Sequence, residues 1–206
     1  MTHSKLIRIR GFVLASSAVL ILAWYSLMGL LLPFREISET FLVMVRDKDW
    51  VWVNTIGLLG FLFLVLGLTG MYSIQIEELK KLGLTGFVIT MLGAILHTCI
   101  QFIETFIWPL LAVHAPNLLY VKGEMFADKA FGTAYLLVGF IWVIGFILYG
   151  IASLRAKVLP KPAVILFSLG AAIFGAAVSL IYVRLAGCVM FTAGAIWIGI
   201  AMANKE

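Results

Sequence analysis

The chain has 206 residues, of which 63% are hydrophobic and 12% are charged, and its mean hydropathy is +1.11. A soluble globular domain is about 45–50% apolar and about 25% charged, so this composition excludes an ordinary soluble domain and predicts a protein that lies in lipid. The formal net charge of +5 comes from short basic segments, which favours the anionic surface of a membrane as the electrostatic partner and excludes nucleic acid.

The first apolar segment covers residues 11–34 and follows a short basic stretch that contains Lys5, Arg8 and Arg10. The hydrophobic core of a signal peptide has only about 7–15 residues. A membrane-spanning helix needs roughly 20 apolar residues, which this segment provides. We therefore interpret it as a first transmembrane helix that is retained.

Residues 35–49 carry seven charges around an apolar centre, Phe41 to Val45. This stretch is too short to span a bilayer and too apolar for a plain loop, so we expect it to lie in the membrane interface. Trp50 and Trp52 follow it directly. Because tryptophan is enriched at the membrane–water boundary, both are expected to mark that boundary.

Five further apolar segments complete the chain. They cover about residues 51–74, 82–109, 130–154, 163–183 and 185–203. Arg184 divides the last long apolar stretch, so its two helices are expected to form a tight hairpin with Arg184 at the tip. The predicted fold class is therefore all-α, a polytopic bundle of six transmembrane helices in a single domain that extends over residues 1–206.

The orientation of these helices is indicated by the Lys and Arg residues in alternate loops. One side of the predicted membrane holds nine of them and the other side holds six. Basic residues accumulate in cytoplasmic loops, so this bias predicts that both termini lie in the cytoplasm. The expected location is the cell membrane, inner or plasma, which the chain crosses several times.

A faint internal repeat relates predicted helices 2 and 3 to predicted helices 4 and 5. Gly70-Met-Tyr-Ser73 and Leu92-Gly-Ala94 flank one basic turn, and Gly150-Ile-Ala-Ser153 and Leu169-Gly-Ala171 flank another. Two copies of one hairpin in the same orientation would form a tandem repeat of the kind found in transporters. The alternative is that Gly, Ala and Ser recur by chance in membrane helices, and both explanations remain open.

The predicted third helix carries the strongest functional signal. Within about 40° of one line on its surface lie Gly86, Thr90, Gly93, His97, Gln101, Glu104 and Trp108. The opposite face is apolar. An unpaired polar group in hydrocarbon costs several kcal/mol, so the polar face must look into the bundle. We therefore predict a pocket lined by His97, Gln101 and Glu104, with Asn54, Tyr25 and Arg184 as further lining residues.

Glu104 is the only acidic residue within the six predicted spans. A charge at the bilayer centre costs about 2.5–3.5 kcal/mol on insertion scales, so such residues are candidates for function. At 1.5 Å per residue, Glu104 lies ~33 Å along its helix, near the outer interface, and His97 lies deeper at ~22 Å. Glu104 either lines a ligand or ion site or pairs structurally with Arg184, and His97 taken alone is more simply a histidine that is hydrogen-bonded across helices.

The polar face predicts neither a metal site nor a bound cofactor. It offers one imidazole and one carboxylate, with a glutamine as a poor third ligand, whereas zinc sites use three or four His, Cys, Asp or Glu ligands. The other predicted spans carry no histidine, so a haem could not be held between two helices.

Small residues recur four positions apart on predicted helices 5 and 6. They are Ala171, Gly175 and Ser179 on the first, and Ala195, Gly199 and Ala203 on the second. Such faces allow helices to approach closely, either within the chain or between the copies of a homo-oligomer.

Two segments resemble a known group of proteins. The first lies around Gly83 to Ala112, with Leu-Gly-Leu-Thr-Gly-Phe, Leu-Gly-Ala and Phe-Ile-Glu-Thr-Phe, and the second is Leu-Tyr-Gly-Ile-Ala-Ser-Leu-Arg-Ala-Lys-Val-Leu-Pro, which ends at Pro160. They are similar to small bacterial and archaeal six-helix membrane proteins of unknown function, near the DUF4386-like families. The resemblance covers about predicted helices 3 to 5 and implies a prokaryotic membrane location and six helices, but no activity.

Three functions are compatible with these features. The first is binding or translocation of an ion or small amphipathic ligand, with Glu104 as the proton- or cation-responsive group of an outward-side pocket. The second is a structural or regulatory subunit whose polar face seals against a partner protein. The third is a membrane-embedded enzyme that uses His97 and Glu104 as an acid/base pair on a lipid-soluble substrate. No hydrolase motif supports the enzyme, and catalytic residues cannot be assigned.

Overall fold

The computed structural model describes residues 3–32, 41–119, 128–177 and 180–204, and these contain helices and turns but no β-strand. The helices are α1 (His3–Leu31), α2 (Phe41–Val45), α3 (Trp50–Ser73), α4 (Lys81–Phe102), α5 (Trp108–His114), α6 (Lys129–Ala156), α7 (Lys161–Ala176) and α8 (Ile181–Ala203). A π-helical turn joins α4 to α5, and a 3₁₀ turn follows α5; their bounds are Ile103–Ile107 and Pro116–Leu119.

Five helical segments are long and apolar enough to cross a membrane. They are Lys5–Leu31, Trp50–Ser73, Lys81–His114, Lys129–Ala156 and Ile181–Ala203. The prediction of an all-α protein with several membrane-length apolar helices is thereby confirmed. α7 has only 16 residues. At 1.5 Å per residue it is ~24 Å long, which is shorter than the roughly 30 Å hydrocarbon core of a bilayer.

The hairpin between α7 and α8 turns earlier than predicted. α7 ends at Ala176 instead of residue 183. Arg184 is therefore not at the tip but in the first turn of α8, where its backbone N–H donates to the Leu180 carbonyl at 2.8 Å. The prediction is wrong because residues 163–183 contain no charge and no proline, so hydropathy marks the charged residue and not the turn.

The first and third predicted helices also have different bounds. α1 begins at His3 instead of residue 11, because its basic residues are good helix formers and Arg10 donates a hydrogen bond to the Ser73 hydroxyl at 3.1 Å. The third predicted helix continues past residue 109 to His114. The predicted end of the first helix and the start of the polar stretch fall in residues 33–40, outside the described residues.

The six long helices form a ring in the order α1, α3, α4, α6, α7, α8, and each packs antiparallel against its two neighbours. Glycines set the closest approaches. A Cβ at Gly67 of α3 would lie 2.6 Å from the Leu14 Cα of α1, and a Cβ at Gly86 of α4 would lie 2.7 Å from the Tyr149 nitrogen of α6. Small residues are therefore used to close the ring.

The small residues on α7 and α8 serve this packing inside the chain, whereas Ser179, predicted for the same face, lies outside the described residues. Gly175 faces the Trp142 indole of α6, and Gly199 faces the Gly11 carbonyl of α1. Ala171 and Ala195 are buried. Because these faces are covered by the chain's own helices, a homo-oligomer through other surfaces of α7 and α8 stays a prediction.

The middle of the ring is filled with aromatic side chains. Those packed there are Phe61, Trp142, Phe146, Phe167, Phe174 and Phe191, with ring centroids 4.6–6.3 Å apart in the contacts between them. Each of these side chains is at most 2% exposed. Rings at these distances attract one another beyond the gain from burial alone.

A second, smaller core lies where α2 and α5 pack beside the start of α3. Trp50 is 1% exposed and stacks on Trp108, with 6.2 Å between ring centroids. The Trp50 ring is thus enclosed by protein, whereas Trp52 is 44% exposed. The expectation that both residues mark the membrane boundary stays a prediction.

Candidate functional site

Two groups of polar side chains, contributed by several helices, meet at the inward face of α4. The first is the asparagine network, defined here as Trp24, Asn54 and Gln101. The Asn54 amide oxygen accepts hydrogen bonds from Trp24 Nε1 and from Gln101 Nε2, both at 3.0 Å. The Asn54 Nδ2 donates to the Trp50 carbonyl at 2.8 Å. The network joins α1, α3 and α4.

The polarity of Asn54 and Gln101 predicts that both line a pocket. In the structure, both side chains form hydrogen bonds inside the bundle instead. Asn54 is completely buried and Gln101 is 1% exposed. Their amide groups bond to each other instead of facing space. Buried polar groups that are fully paired add stability and rigidity to a bundle.

The second group is the Arg184 site, defined here as His97, Glu104, Tyr135 and Arg184 with the rings of Tyr25 and Phe174. Its residues come from α1, α4, α6, α7 and α8 and from the π-helical turn that follows α4. Electrostatic interactions connect Arg184 with His97, Glu104 and Tyr25 across the ring. The structure thus brings four of the six predicted site residues together.

Glu104 is positioned by the π-helical turn. Pro109 has no N–H, so the Thr105 carbonyl cannot receive an α-helical hydrogen bond, and the Trp108 N–H bonds to the Ile103 carbonyl instead. The Glu104 carbonyl accepts from Trp50 Nε1 at 2.9 Å, and its carboxylate accepts from the Tyr135 hydroxyl at 3.5 Å. π-Helical turns occur frequently at functional sites.

His97 lies among aromatic rings. Its ring centroid is 4.8 Å from that of Phe61, 4.9 Å from that of Trp142 and 6.5 Å from that of Phe174. Its Nδ1 atom is enclosed and has no hydrogen-bond partner. The expectation of a histidine hydrogen-bonded across helices is therefore not met at this nitrogen, and the rings of Phe61, Trp142 and Phe174 pack against the imidazole.

Arg184 contacts two aromatic rings, and one of its side-chain nitrogens has no hydrogen-bond partner. Its guanidinium lies over the Phe174 ring at 4.5 Å and over the Tyr25 ring at 5.3 Å from the centroids. Its Nε atom is enclosed without a hydrogen-bond partner, and it makes no salt bridge with Glu104. The structural alternative of a direct Glu104–Arg184 pair is thus not realised in this arrangement. An unpaired charge in an apolar setting is costly.

The polar side chains of the Arg184 site are less completely covered than the aromatic rings around them. His97, Glu104 and Arg184 are each half-buried, whereas Trp142 and Phe174 beside them are almost completely covered. A shallow depression of about 310 Å³ borders the start of α8, lined by Leu180, Ile181, Tyr182 and Val183.

Sequence reasoning did not identify the aromatic part of this site. Phe174 and Tyr135 come from α7 and α6 and contact residues far away in the chain. Tyr135 was visible as a polar group in an apolar segment, but an isolated aromatic residue in a membrane helix carries no signal for a site. Tyr25 is placed correctly in the interior, where its hydroxyl donates to the Ile181 carbonyl at 3.4 Å.

Neither a metal-binding cluster nor a relative helps to identify the site. Among the described residues, no three His, Cys, Asp or Glu side chains lie close enough together to hold a metal ion. Comparison with known protein families, with curated proteins and with solved structures finds no match to this chain. The resemblance to DUF4386-like proteins therefore stays a prediction.

Proposed function

We propose that this chain is a six-helix protein of a prokaryotic cell membrane, with both termini in the cytoplasm, and that its Arg184 site binds a small amphipathic ligand in the outer half of the bilayer. In this arrangement α7 is the sixth helix and crosses only part of the bilayer. The surplus of Lys and Arg on the side of the termini supports the orientation.

The observation that supports binding is the set of polar groups in the Arg184 site that have no hydrogen-bond partner. Arg184 and His97 each have an enclosed nitrogen without a partner, and aromatic rings surround both side chains. A ligand with one polar end and an apolar body would pair the polar groups and pack on the rings. Small-molecule sites typically combine apolar walls with a few convergent polar groups in this way.

Binding is better supported than translocation because the aromatic core closes the middle of the ring. Phe146 and Phe167 lie between the Arg184 site and the opposite end of the bundle, and both are completely buried. At that opposite end Tyr149 and Gln75 form a separate buried polar pair, with 3.4 Å between the Tyr149 hydroxyl and Gln75 Nε2. A ligand could reach the Arg184 site without crossing this core.

The other two functions have less support. A subunit that seals its polar face against a partner would present that face outward, whereas the polar face of α4 is directed at α3, α6 and α7. An enzyme would need His97 and Glu104 to converge on one reacting atom, and they lie about two helical turns apart in sequence.

The tandem-hairpin repeat is part of the same proposal. Gly93 of α4 packs on the Trp142 backbone of the next long helix, and Gly170 of α7 packs on the Phe191 backbone of the helix that follows it. Equivalent glycines in the two hairpins therefore make equivalent contacts. Such a repeat supports a common origin of the α3–α4 and α6–α7 hairpins.

Quenching of tryptophan fluorescence tests the binding proposal. The protein is reconstituted in phosphatidylcholine nanodiscs and titrated with bromine-labelled dodecanoate, because bromine quenches nearby indoles. We expect a saturable component from Trp142, whose ring centroid lies 4.9 Å from that of His97. Probe dissolved in the bilayer adds only a component that rises linearly with its concentration.

Two matched substitutions assign the components. Trp142→Phe should remove the saturable component, and Trp197→Phe should preserve it, since Trp197 is 45% exposed on the outside of the bundle. Gel filtration and circular dichroism verify that both variants fold. Quenching that stays linear at all probe concentrations in the unsubstituted protein would contradict the proposed function.

A further inference from the structure

We infer that the ligand of the Arg184 site is an anionic amphiphile whose negatively charged headgroup is bound by Arg184, with its apolar chain leaving toward the lipid. This inference rests on the proposed function and specifies the chemistry of the ligand. The same headgroup chemistry occurs in anionic phospholipids and in single-chain carboxylic acids, and the experiment below separates these two sources.

The guanidinium of Arg184 has an unused recognition surface. The rings of Phe174 and Tyr25 lie 4.5 Å and 5.3 Å from its central carbon, measured to the ring centroids, and rings offer no hydrogen-bond acceptor of the strength of a carboxylate or phosphate oxygen. A guanidinium has five N–H donors in a rigid fork. None of them donates to an acceptor within residues 3–32, 41–119, 128–177 and 180–204, which the structure describes. Carboxylate and phosphate oxygens match this fork in both geometry and charge.

The N–H groups of Arg184 favour an anion over a cation at this end of the site. Glu104 interacts with Arg184 electrostatically but forms no salt bridge with it among the described residues, and its carboxylate accepts from the Tyr135 hydroxyl. A cation beside the guanidinium would be repelled by Arg184. A neutral ligand would leave the arginine charge unpaired in an apolar setting.

The position of Arg184 in the bundle explains why the ligand should have an apolar chain. α7 is ~24 Å long, so the start of α8 lies below the surface of a bilayer whose core is roughly 30 Å thick. A depression lined by Leu180–Val183 lies at the start of α8, directly before Arg184 in the chain, and Tyr182 within it is 86% exposed. An amphiphile whose headgroup is bound at Arg184 could therefore extend its apolar chain into the surrounding lipid.

The test compares three probes that share one bromine-labelled dodecyl chain and differ only in the headgroup: the carboxylate, the uncharged alcohol and the ammonium. Binding is measured by the saturable tryptophan quenching in phosphatidylcholine nanodiscs, above neutral pH so that the carboxylate is ionised. We expect the carboxylate to bind at least tenfold more tightly than the alcohol, and the ammonium to bind more weakly than either.

Variants then assign the preference to Arg184. Arg184→Gln should lower the affinity for the carboxylate at least tenfold and change that for the alcohol less than threefold, and Arg184→Lys should give an intermediate value because it keeps the charge but not the fork. Arg155→Gln is the matched control, since Arg155 is exposed at the end of α6. It should bind all probes like the unsubstituted protein.

Nanodiscs that contain one fifth phosphatidylglycerol separate the two sources. If an anionic phospholipid is the natural ligand, this lipid should weaken carboxylate binding in the unsubstituted protein at least fivefold and not in Arg184→Gln; unchanged binding assigns the site to single-chain anions. Equal saturable binding of carboxylate and alcohol would overturn the anionic headgroup and leave the binding proposal intact. Absence of saturable quenching with every probe would overturn both.

Discussion

The asparagine network and the Arg184 site lie on the same face of α4, close together along it, and both consist of polar side chains inside an apolar bundle. In the network the side-chain amides of Asn54 and Gln101 bond to each other and to Trp24. In the Arg184 site, nitrogens of His97 and Arg184 have no partner. The comparison shows that polarity inside a membrane helix does not by itself mark a functional site. A buried polar group without a hydrogen-bond partner is the more informative feature.

The two groups should respond in opposite ways to the removal of polar atoms. Removing a member of a paired network leaves its partners unpaired, which destabilises the fold. Removing a charge that has no partner relieves a cost, which stabilises the fold but removes a contact for the ligand. Stability and probe binding, measured on the same variants, can therefore separate structural from functional polarity.

The largest effect is expected for Asn54→Leu. This change leaves the donors of Trp24 and Gln101 without their acceptor, so the free energy of unfolding should fall by about 2–4 kcal/mol. Reversible unfolding in mixed detergent micelles measures it, with Thr55→Val, an exposed-side hydroxyl on the same helix, as the control. A loss below about 0.5 kcal/mol would show that the network adds little stability.

Arg184→Met should change stability in the opposite direction. Methionine keeps much of the apolar contact with Phe174 and removes a charge that has no hydrogen-bond partner, so we expect the free energy of unfolding without ligand to rise by about 1–2 kcal/mol. The same unfolding titration measures it, and saturable probe quenching should be lost. Destabilisation by more than 1 kcal/mol would mean that Arg184 has a structural role.

His97→Phe should have a smaller effect on stability. The imidazole contacts Phe61 and Trp142 by its ring and gains nothing from its enclosed Nδ1, so phenylalanine should alter the free energy of unfolding by less than about 1 kcal/mol. Probe affinity should fall because the larger ring fills space beside Arg184. Gln101→Leu, one turn further along α4, is the contrasting variant, and it should destabilise the protein more than His97→Phe does.

The smallest effect is expected for Tyr135→Phe. The Tyr135 hydroxyl is 3.5 Å from the Glu104 carboxylate, which is long for a hydrogen bond, so its loss should cost less than about 0.5 kcal/mol of stability. Thermal unfolding followed by circular dichroism is sufficient to measure this. A larger loss would place Tyr135 and Glu104 with the structural polar groups and not with the ligand site.

The helices and the polar face of α4 could be predicted from the sequence because both depend on local periodicity. Apolar runs of membrane length and the spacing of His97, Gln101 and Glu104 are visible in a single segment. The sequence could not show that Gln101 belongs to the asparagine network whereas His97 and Glu104 belong to the Arg184 site, since its partner Asn54 is 47 residues away. Which polar groups meet depends on how far one helix is shifted along the next.

The position of Arg184 shows the same limit. A charge between two apolar runs resembles a hairpin tip in the sequence, yet the turn lies before it and α8 carries it beside Phe174 and Tyr25. Composition and hydropathy by themselves determined that this is an all-helical, lipid-adapted chain with one polar helix face. The tertiary structure decided which polar residues are paired and which are left open, because hydrogen bonds between helices depend on their relative register, which no single segment encodes.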